Sequence, residues 1–514
     1  MVTKWIQSLR RWAGTTSRQA DALLLEGDQY VQRSRPSEAE SLYIEALALY
    51  RSMEDRHGEA NTVLALGLLY SRISRLAESE VRFGEALPLY RSIQSHVGEA
   101  NTLKSIGDLY LRTSRLEEAE SLFWEALPIY RSVKSLLGEA NTLKAQGDLY
   151  ARTFDLSKAE SRYEDALPLY QSAGDRPGEA STLRSLGVLF AQTDRLAEAE
   201  LRFREALPLY RSVEHRLGEA NTLLSLGDLY VRMSRPSEAE PRFKEALELY
   251  RSVEEPVGEA NTIRSLADLY LRTSRRPEAE PLFRQALALY RLSQEPLGEA
   301  NTLGALGVLY RHTDRLPEAE SHYEEALPLL RSVGDRHGEA NTLLNLGEVY
   351  AQTSRLEEAE AHYGQALALF QSHQFRLGEA NTLLALGRLC AFQHRTEEGE
   401  QHLQAARSIF VAIEERVGQT KCCQSFSDLY RTSRRAPEAL REALAGFLLS
   451  LSADFDPQDD LVRVALLRKK IGPEAFDALA PEVVVVFPVE DRETLFAAIQ
   501  ELREEMAAAP NQPG

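Results

Sequence analysis

Cysteine is scarce. Three occur among 514 residues, and Cys422 and Cys423 are adjacent, so neither a disulfide framework nor a four-thiolate zinc site is available. A reducing, cytoplasmic setting follows as the expectation. Long apolar runs are missing too: no stretch approaches the ~18 residues of a spanning helix, and no membrane is implied. Positive charge is in deficit, with 60 Lys and Arg against 78 Asp and Glu and a formal charge of −18. Nucleic-acid binders carry a basic face that neutralises phosphates, so no nucleic acid is expected. Catalytic motifs are also lacking. There is no His-Glu-x-x-His, no Gly-rich loop closed by Lys-Ser/Thr and no Gly-x-Ser-x-Gly. No enzyme, cofactor or metal site is expected, and glutamates such as Glu118 and Glu120 read as solvated charge.

What the chain has in abundance is self-similarity. Gly-Glu-Ala-Asn-Thr begins at Gly58, Gly98, Gly138, Gly218, Gly258, Gly298, Gly338 and Gly378, a period of 40, with Ser181 replacing Asn in the copy at Gly178. A degenerate first copy begins near Arg18. A degenerate eleventh begins at Gly418 and reads as one residue short in its turn. Each unit predicts two helices. In the third, Ala100, Leu103, Ile106, Gly107 and Tyr110 step by three and four over 99–113. Ser114-Arg115 breaks the pattern, and Ala119, Phe123, Ala126, Leu127 and Tyr130 mark a second helix over 116–132. One such pair has too little core to stand alone and must stack on its neighbours.

In the sixth unit Leu226, Gly227, Tyr230, Ala239, Phe243 and Ala246 fall at the signature positions of the tetratricopeptide repeat, and the middle units keep most of that spacing. The chain therefore resembles this family over roughly residues 18–450. Its period of 40 replaces the usual ~34 and is similar to the long-helix repeats of kinesin light chains and Pins-type adaptors. The resemblance implies an all-α fold, a right-handed α-solenoid (superhelix) of about eleven helix-turn-helix units with helical caps. It also implies a non-enzymatic scaffold or adaptor that binds a protein or peptide in a concave groove. Two rivals belong to other classes: a sensor or regulatory subunit of a signalling or defence complex with its enzymatic effector on another chain, and a self-assembling structural repeat protein.

Three segments are expected: a capping helix over 1–17, the array over 18–451, and a helical cap or docking segment over 452–514. Trp5, Ile6, Leu9 and Trp12 share one face of the first, a pattern open also to a helix lying on a membrane surface. In the last, helices are expected over 461–470 and 490–509, with a strand-like run at 483–487 between them. Pro88, Pro128, Pro168, Pro208 and Pro328 fall inside second helices on the side away from the core and read as curvature elements. His322, His362 and His402 share one slot and read as flank packing, with a metal or pH-sensing role as the alternative. Cys390 and Cys423 read as buried fillers. The tyrosines recurring from Tyr50 to Tyr290 read as core.

Function in a solenoid lies on the face that packing leaves free. Counting each unit from its Gly, the fourth residue is Asn at Asn61, Asn101, Asn141, Asn221, Asn261, Asn301, Asn341 and Asn381. Either it caps its own helix or its amide meets the backbone of a bound segment. The seventh residue is Lys104, Lys144, Arg184 or Arg264 in some units, and Leu344 and Leu384 later offer apolar anchorage. The eleventh is often acidic (Asp108, Asp148, Asp228, Asp268) and the fifteenth basic (Arg112, Arg152, Arg232, Arg272), spaced for pairing within the helix. Such pairing leaves the seventh-slot cations competing for the same Asp, and they are candidates to receive an acidic segment of the partner. The Lys/Asn/Arg set by which some family members hold an acidic chain terminus is only loosely echoed.

Overall fold

The computed structural model describes residues 2–452 and 458–471 and the single positions 474, 478 and 483. The described elements are all helical, and the chain divides into two compact units, residues 1–255 and 256–514. In the first, α1 (Val2–Gln32) and α2 (Pro36–Ser52) precede α3 (Arg56–Arg72), α4 (Leu76–Ser92), α5 (His96–Arg112) and α6 (Leu116–Ser132). There follow α7 (Leu136–Arg152), α8 (Leu156–Ala173), α9 (Arg176–Gln192), α10 (Leu196–Ser212), α11 (Arg216–Arg232) and α12 (Pro236–Ser252). The second unit holds α13 (Pro256–Arg272), α14 (Arg276–Ser293), α15 (Pro296–His312), α16 (Leu316–Val333), α17 (Arg336–Gln352) and α18 (Leu356–Ser372). It continues with α19 (Arg376–Phe392), α20 (Thr396–Ala412), α21 (Arg416–Thr432), α22 (Ala436–Ser452) and α23 (Gln458–Ile471).

Within each unit, each odd helix that has an even helix after it packs against that helix, and each pair stacks on the next. Within each unit the first helices of neighbouring pairs also touch, α3 on α5 and α5 on α7 in one, α15 on α17 and α17 on α19 in the other. The first helices therefore line the inner face of the stack. The eleventh pair keeps the period: α21 and α22 begin at 416 and 436, as α19 and α20 begin at 376 and 396. The apparent loss in its turn is made good by Ala436, which restores Pro437 to register. α1 runs unbroken across residue 17, where the sequence suggested a boundary. α23 packs on α22, while the strand-like run beyond Val483 and the helix expected over 490–509 lie outside the described residues.

Glycine makes the pairs possible. A Cβ on Gly107 would stand 2.5 Å from Cε1 of Phe123, and one on Gly98 would stand 2.1 Å from Cδ1 of Tyr90. The first contact joins the two helices of a pair, the second joins one pair to the next. Turns between helices place one residue in the left-handed region, such as Ser114 at φ 60°, which closes the preceding helix through Arg115 N–H to Tyr110 C=O at 2.9 Å. The five helix-interior prolines expected on the outside are all exposed, and Pro241 and Pro281 join them.

A chain of arginines ties pair to pair on the second helices. Arg75 donates to Glu40 at 2.9 Å and to Glu78 at 2.6 Å, and its guanidinium lies 4.2 Å above the Tyr70 ring. Arg115, Arg195 and Arg235 repeat the arrangement in the first unit, and Arg315 and Arg355 in the second, while Arg395 keeps the ion pairs with Glu360 and Glu398 but has Cys390 in place of the ring. Asp155 stands at the corresponding position of α8 and pairs instead with Lys158.

Candidate functional site

The recurring tyrosines are buried, as their spacing requires, with Tyr130 only 3% exposed. Each hydroxyl then needs a partner. Tyr90 donates to Asn61, Tyr130 to Asn101 and Tyr170 to Asn141, each at 2.7 Å, and Tyr250 donates to Asn221 at 2.6 Å. In the second unit Tyr290 donates to Asn261 at 2.6 Å. The fourth-slot Asn is thus no helix cap. The caps stand earlier, where Asp55, Ser135 and Asp335 accept from the N–H of the repeat glycine. With its oxygen held by tyrosine, each amide is oriented, and the nitrogens of Asn101, Asn141, Asn221 and Asn261 make no hydrogen bond among the described residues. Both candidate roles of this Asn therefore missed its tyrosine partner. That bond spans 29 residues and leaves no short-range signal in the sequence.

The acidic eleventh slot pairs within its own helix with the seventh-slot cation and not with the fifteenth-slot arginine. Lys104 binds Asp108 at 2.7 Å, Lys144 binds Asp148 at 2.8 Å and Arg264 binds Asp268 at 3.1 Å. The fifteenth-slot arginines turn away. Arg112 donates to the Ser71 carbonyl and Arg232 to the Ala191 carbonyl, both at 2.6 Å, and Arg152 to the Leu111 carbonyl at 2.8 Å. They cap the C-terminal ends of preceding first helices, where carbonyls lack intrahelical partners. Asp228 and Arg272 are exposed on α11 and α13. Arg184 has Val188 where its neighbours have Asp, and it forms no ion pair among the described residues. Dehydration pushes the Asp108 carboxyl above its ordinary range, against the pull of Lys104, and Asp268 is raised for the same cause against Arg264.

Leu344 is half-buried on this face. Leu384 is a correction: it is 5% exposed and packs with Leu383, Leu403 and Phe410, because α21 lies against α19 and covers it. His322 and His362 are tied by Nδ1 to the carbonyls of Glu318 and Glu358, at 2.9 and 2.8 Å. Burial holds the His402 imidazole below its usual pKa. No group of three or more His, Cys, Asp or Glu suited to a metal ion occurs among the described residues. Cys390, Cys422 and Cys423 are buried free thiols. No described helix is long and apolar enough to cross a membrane.

The second unit carries a feature that the sequence reading passed over. A cavity of about 440 Å³ opens on α15, α17 and α19, lined by Arg311, Glu348, Gln352, Tyr363, Arg388 and Phe392 among others. Arg311 binds Glu348 at 2.5 Å. The available signal was the eleventh slot, which changes from Asp in most earlier units to Val308, Glu348 and Arg388 in successive units.

Stacked helix pairs with a free inner face define an α-solenoid repeat protein. The tetratricopeptide repeat pattern matches at residues 18–92, 98–172, 138–212, 218–291 and 298–372, and the chain belongs to that family. Membership supports a protein-interaction or sensor role. A search of curated proteins gave no match. Among solved structures, the chain is similar to a signal-transduction ATPase with a tetratricopeptide-repeat sensor from Pyrococcus horikoshii, at 16% identity and TM-score 0.54. The match covers 71% of this chain and spans 55% of that one. It is similar to the apo form of RapI at 13% identity and TM-score 0.54, covering 69% and 98% of the two chains. The apo quorum sensor NprR from B. thuringiensis follows at 17% identity and TM-score 0.50, with 68% and 98% covered. These likenesses concern the fold.

Proposed function

We propose that the chain is a non-enzymatic interaction module that takes a peptide or protein segment along the face of its first helices. One observation carries the reading: tyrosine hydroxyls fix Asn101, Asn141 and Asn221 by the oxygen and leave an oriented amide donor in three repeats of the first unit, while the Asn61 amide is taken up by His57 Nδ1 at 3.2 Å. Neighbouring first helices lie ~10 Å apart, so one amide meets about every third residue of an extended segment. Such donors read backbone carbonyls and are indifferent to side chains, which suits a scaffold. Side-chain selectivity falls to the varied slots, where Arg184 is a cation without an acid of its own.

Asn→Asp at 101, 141 and 221 tests this. It keeps the oxygen that tyrosine needs and removes the outward N–H groups. Partners captured from native lysate by the unaltered chain should be lost by the folded triple variant. Unchanged capture would move the binding surface off this face. The sensor reading predicts the same loss together with a co-purifying effector enzyme.

A further inference from the structure

The cavity on α15, α17 and α19 has more donors than acceptors. Its single carboxylate, Glu348, is turned to Arg311. The Arg311 Nε is nonetheless buried without a partner. The Tyr323 hydroxyl, on a residue 1% exposed and outside the cavity lining, is also without a partner, with Val308 at the register where Asp148 accepts from Tyr163. Tyr363 lines the cavity as well. Its counterpart in the first unit, Tyr163, donates to Asp148 at 2.8 Å, whereas Tyr363 makes no bond to Glu348. Arg388 is exposed and forms no ion pair among the described residues. Leu356, Leu389 and Phe392, the last 67% exposed, give the same cavity apolar walls.

Buried donors left unpaired cost free energy, and two guanidiniums against one carboxylate leave a positive excess. A group that balances this excess must bring acceptor oxygens and negative charge, and it must fit beside apolar walls. We propose that this cavity is the selectivity pocket for an acidic side chain, Asp or Glu, that neighbours an aromatic or aliphatic residue within a bound segment. The carboxylate engages Arg388 and competes with Glu348 for Arg311, and the apolar neighbour packs on Phe392 and Leu389. The inference rests on the reading of this chain as a segment-binding module, and it places the acid-binding element on residues other than the Lys104–Arg272 series.

A random heptapeptide pool selected on the full chain tests it. Enriched peptides should carry Asp or Glu beside an apolar residue. Arg388→Glu, an exposed substitution that leaves the fold intact, should weaken them about tenfold or more. Glu348→Gln should tighten them, because it removes the internal competitor for Arg311; a merely structural role for Glu348 gives the opposite sign. Enriched peptides that lack acids, or that bind Arg388→Glu equally well, would overturn the pocket while leaving the segment-binding reading in place. Peptides that need a free C-terminus and fail as amides would also overturn it, since the carboxylate would then be terminal. A pool that yields no binder at all would count against both.

Discussion

Tyr50 donates its hydroxyl to Asp21 at 2.6 Å, and Tyr130 makes the same bond to Asn101 at 2.7 Å. Asp21 and Asn101 occupy one register, each 29 residues before its tyrosine. The tyrosine needs only an oxygen there. Asn101→Asp should therefore melt within ~1 kcal/mol of the unaltered chain, whereas Asn101→Leu strands a part-buried hydroxyl and should cost ~1–3 kcal/mol. Thermal melts of the two variants decide it. An Asp variant as unstable as the Leu variant would mean that the amide nitrogen also holds the fold.

The pair Lys104 and Asp108 shows what spacing tells and what it withholds. Asp108 has a cation four residues before it and another four residues after it, so the sequence permits two ion pairs. The structure forms the first because Arg112 reaches the Ser71 carbonyl, 41 residues back on the neighbouring first helix. Helix limits were legible, since α6 covers Leu116–Ser132 as its apolar stripe requires. Partners supplied by another helix were not, and the same is true of Leu384 beneath α21 and of Asn101 beneath Tyr130. Periodicity reports which face a residue occupies; only packing reports what meets it there.

Gln146 identifies a weak point in the core of the first unit. It is fully buried, and neither amide atom has a hydrogen-bond partner. Leu66, Ile106, Leu186 and Leu226 fill the same register in other repeats. Gln146→Leu should raise stability by ~1–3 kcal/mol, measured by denaturant or thermal unfolding. A neutral or destabilising result would reveal a water or partner held by that amide.

Acid should weaken the arginine ladder. Arg115 holds the Glu80 and Glu118 carboxyls below their usual range, and Arg195, Arg235, Arg355 and Arg395 do the same for Glu198, Glu238, Glu358 and Glu398. A carboxyl depressed in the folded state contributes stability that is complete above its unfolded value of ~4.3 and is lost as pH falls through the folded value. Asp108 and Asp268, raised chiefly by dehydration, act with the opposite sign: their ionisation opposes the fold, and acid relieves it. The depressed carboxyls are the more numerous, so the melting temperature should fall as pH drops below about 4.5. Circular dichroism melts from neutral to acid pH at low salt would show this, and a melting temperature that holds or rises down to pH ~3 would sink the argument.

A tight contact within a pair predicts how damage spreads. A Cβ on Gly227 would stand 2.4 Å from Cε1 of Phe243, so the ring leaves no room for a long side chain. Ala267 occupies the same register and is fully buried, so this position accommodates one extra carbon. Gly227→Leu exceeds that tolerance and should cost ~1–3 kcal/mol by overpacking. Coupling in a repeat array runs between nearest neighbours, so the loosening should concentrate in α9 to α12 and leave α1 to α4 protected. Hydrogen exchange resolved along the chain distinguishes the outcomes. Exchange that rises evenly from α1 to α12 would mean that the first unit unfolds as one block, with coupling between pairs stronger than the contacts within each.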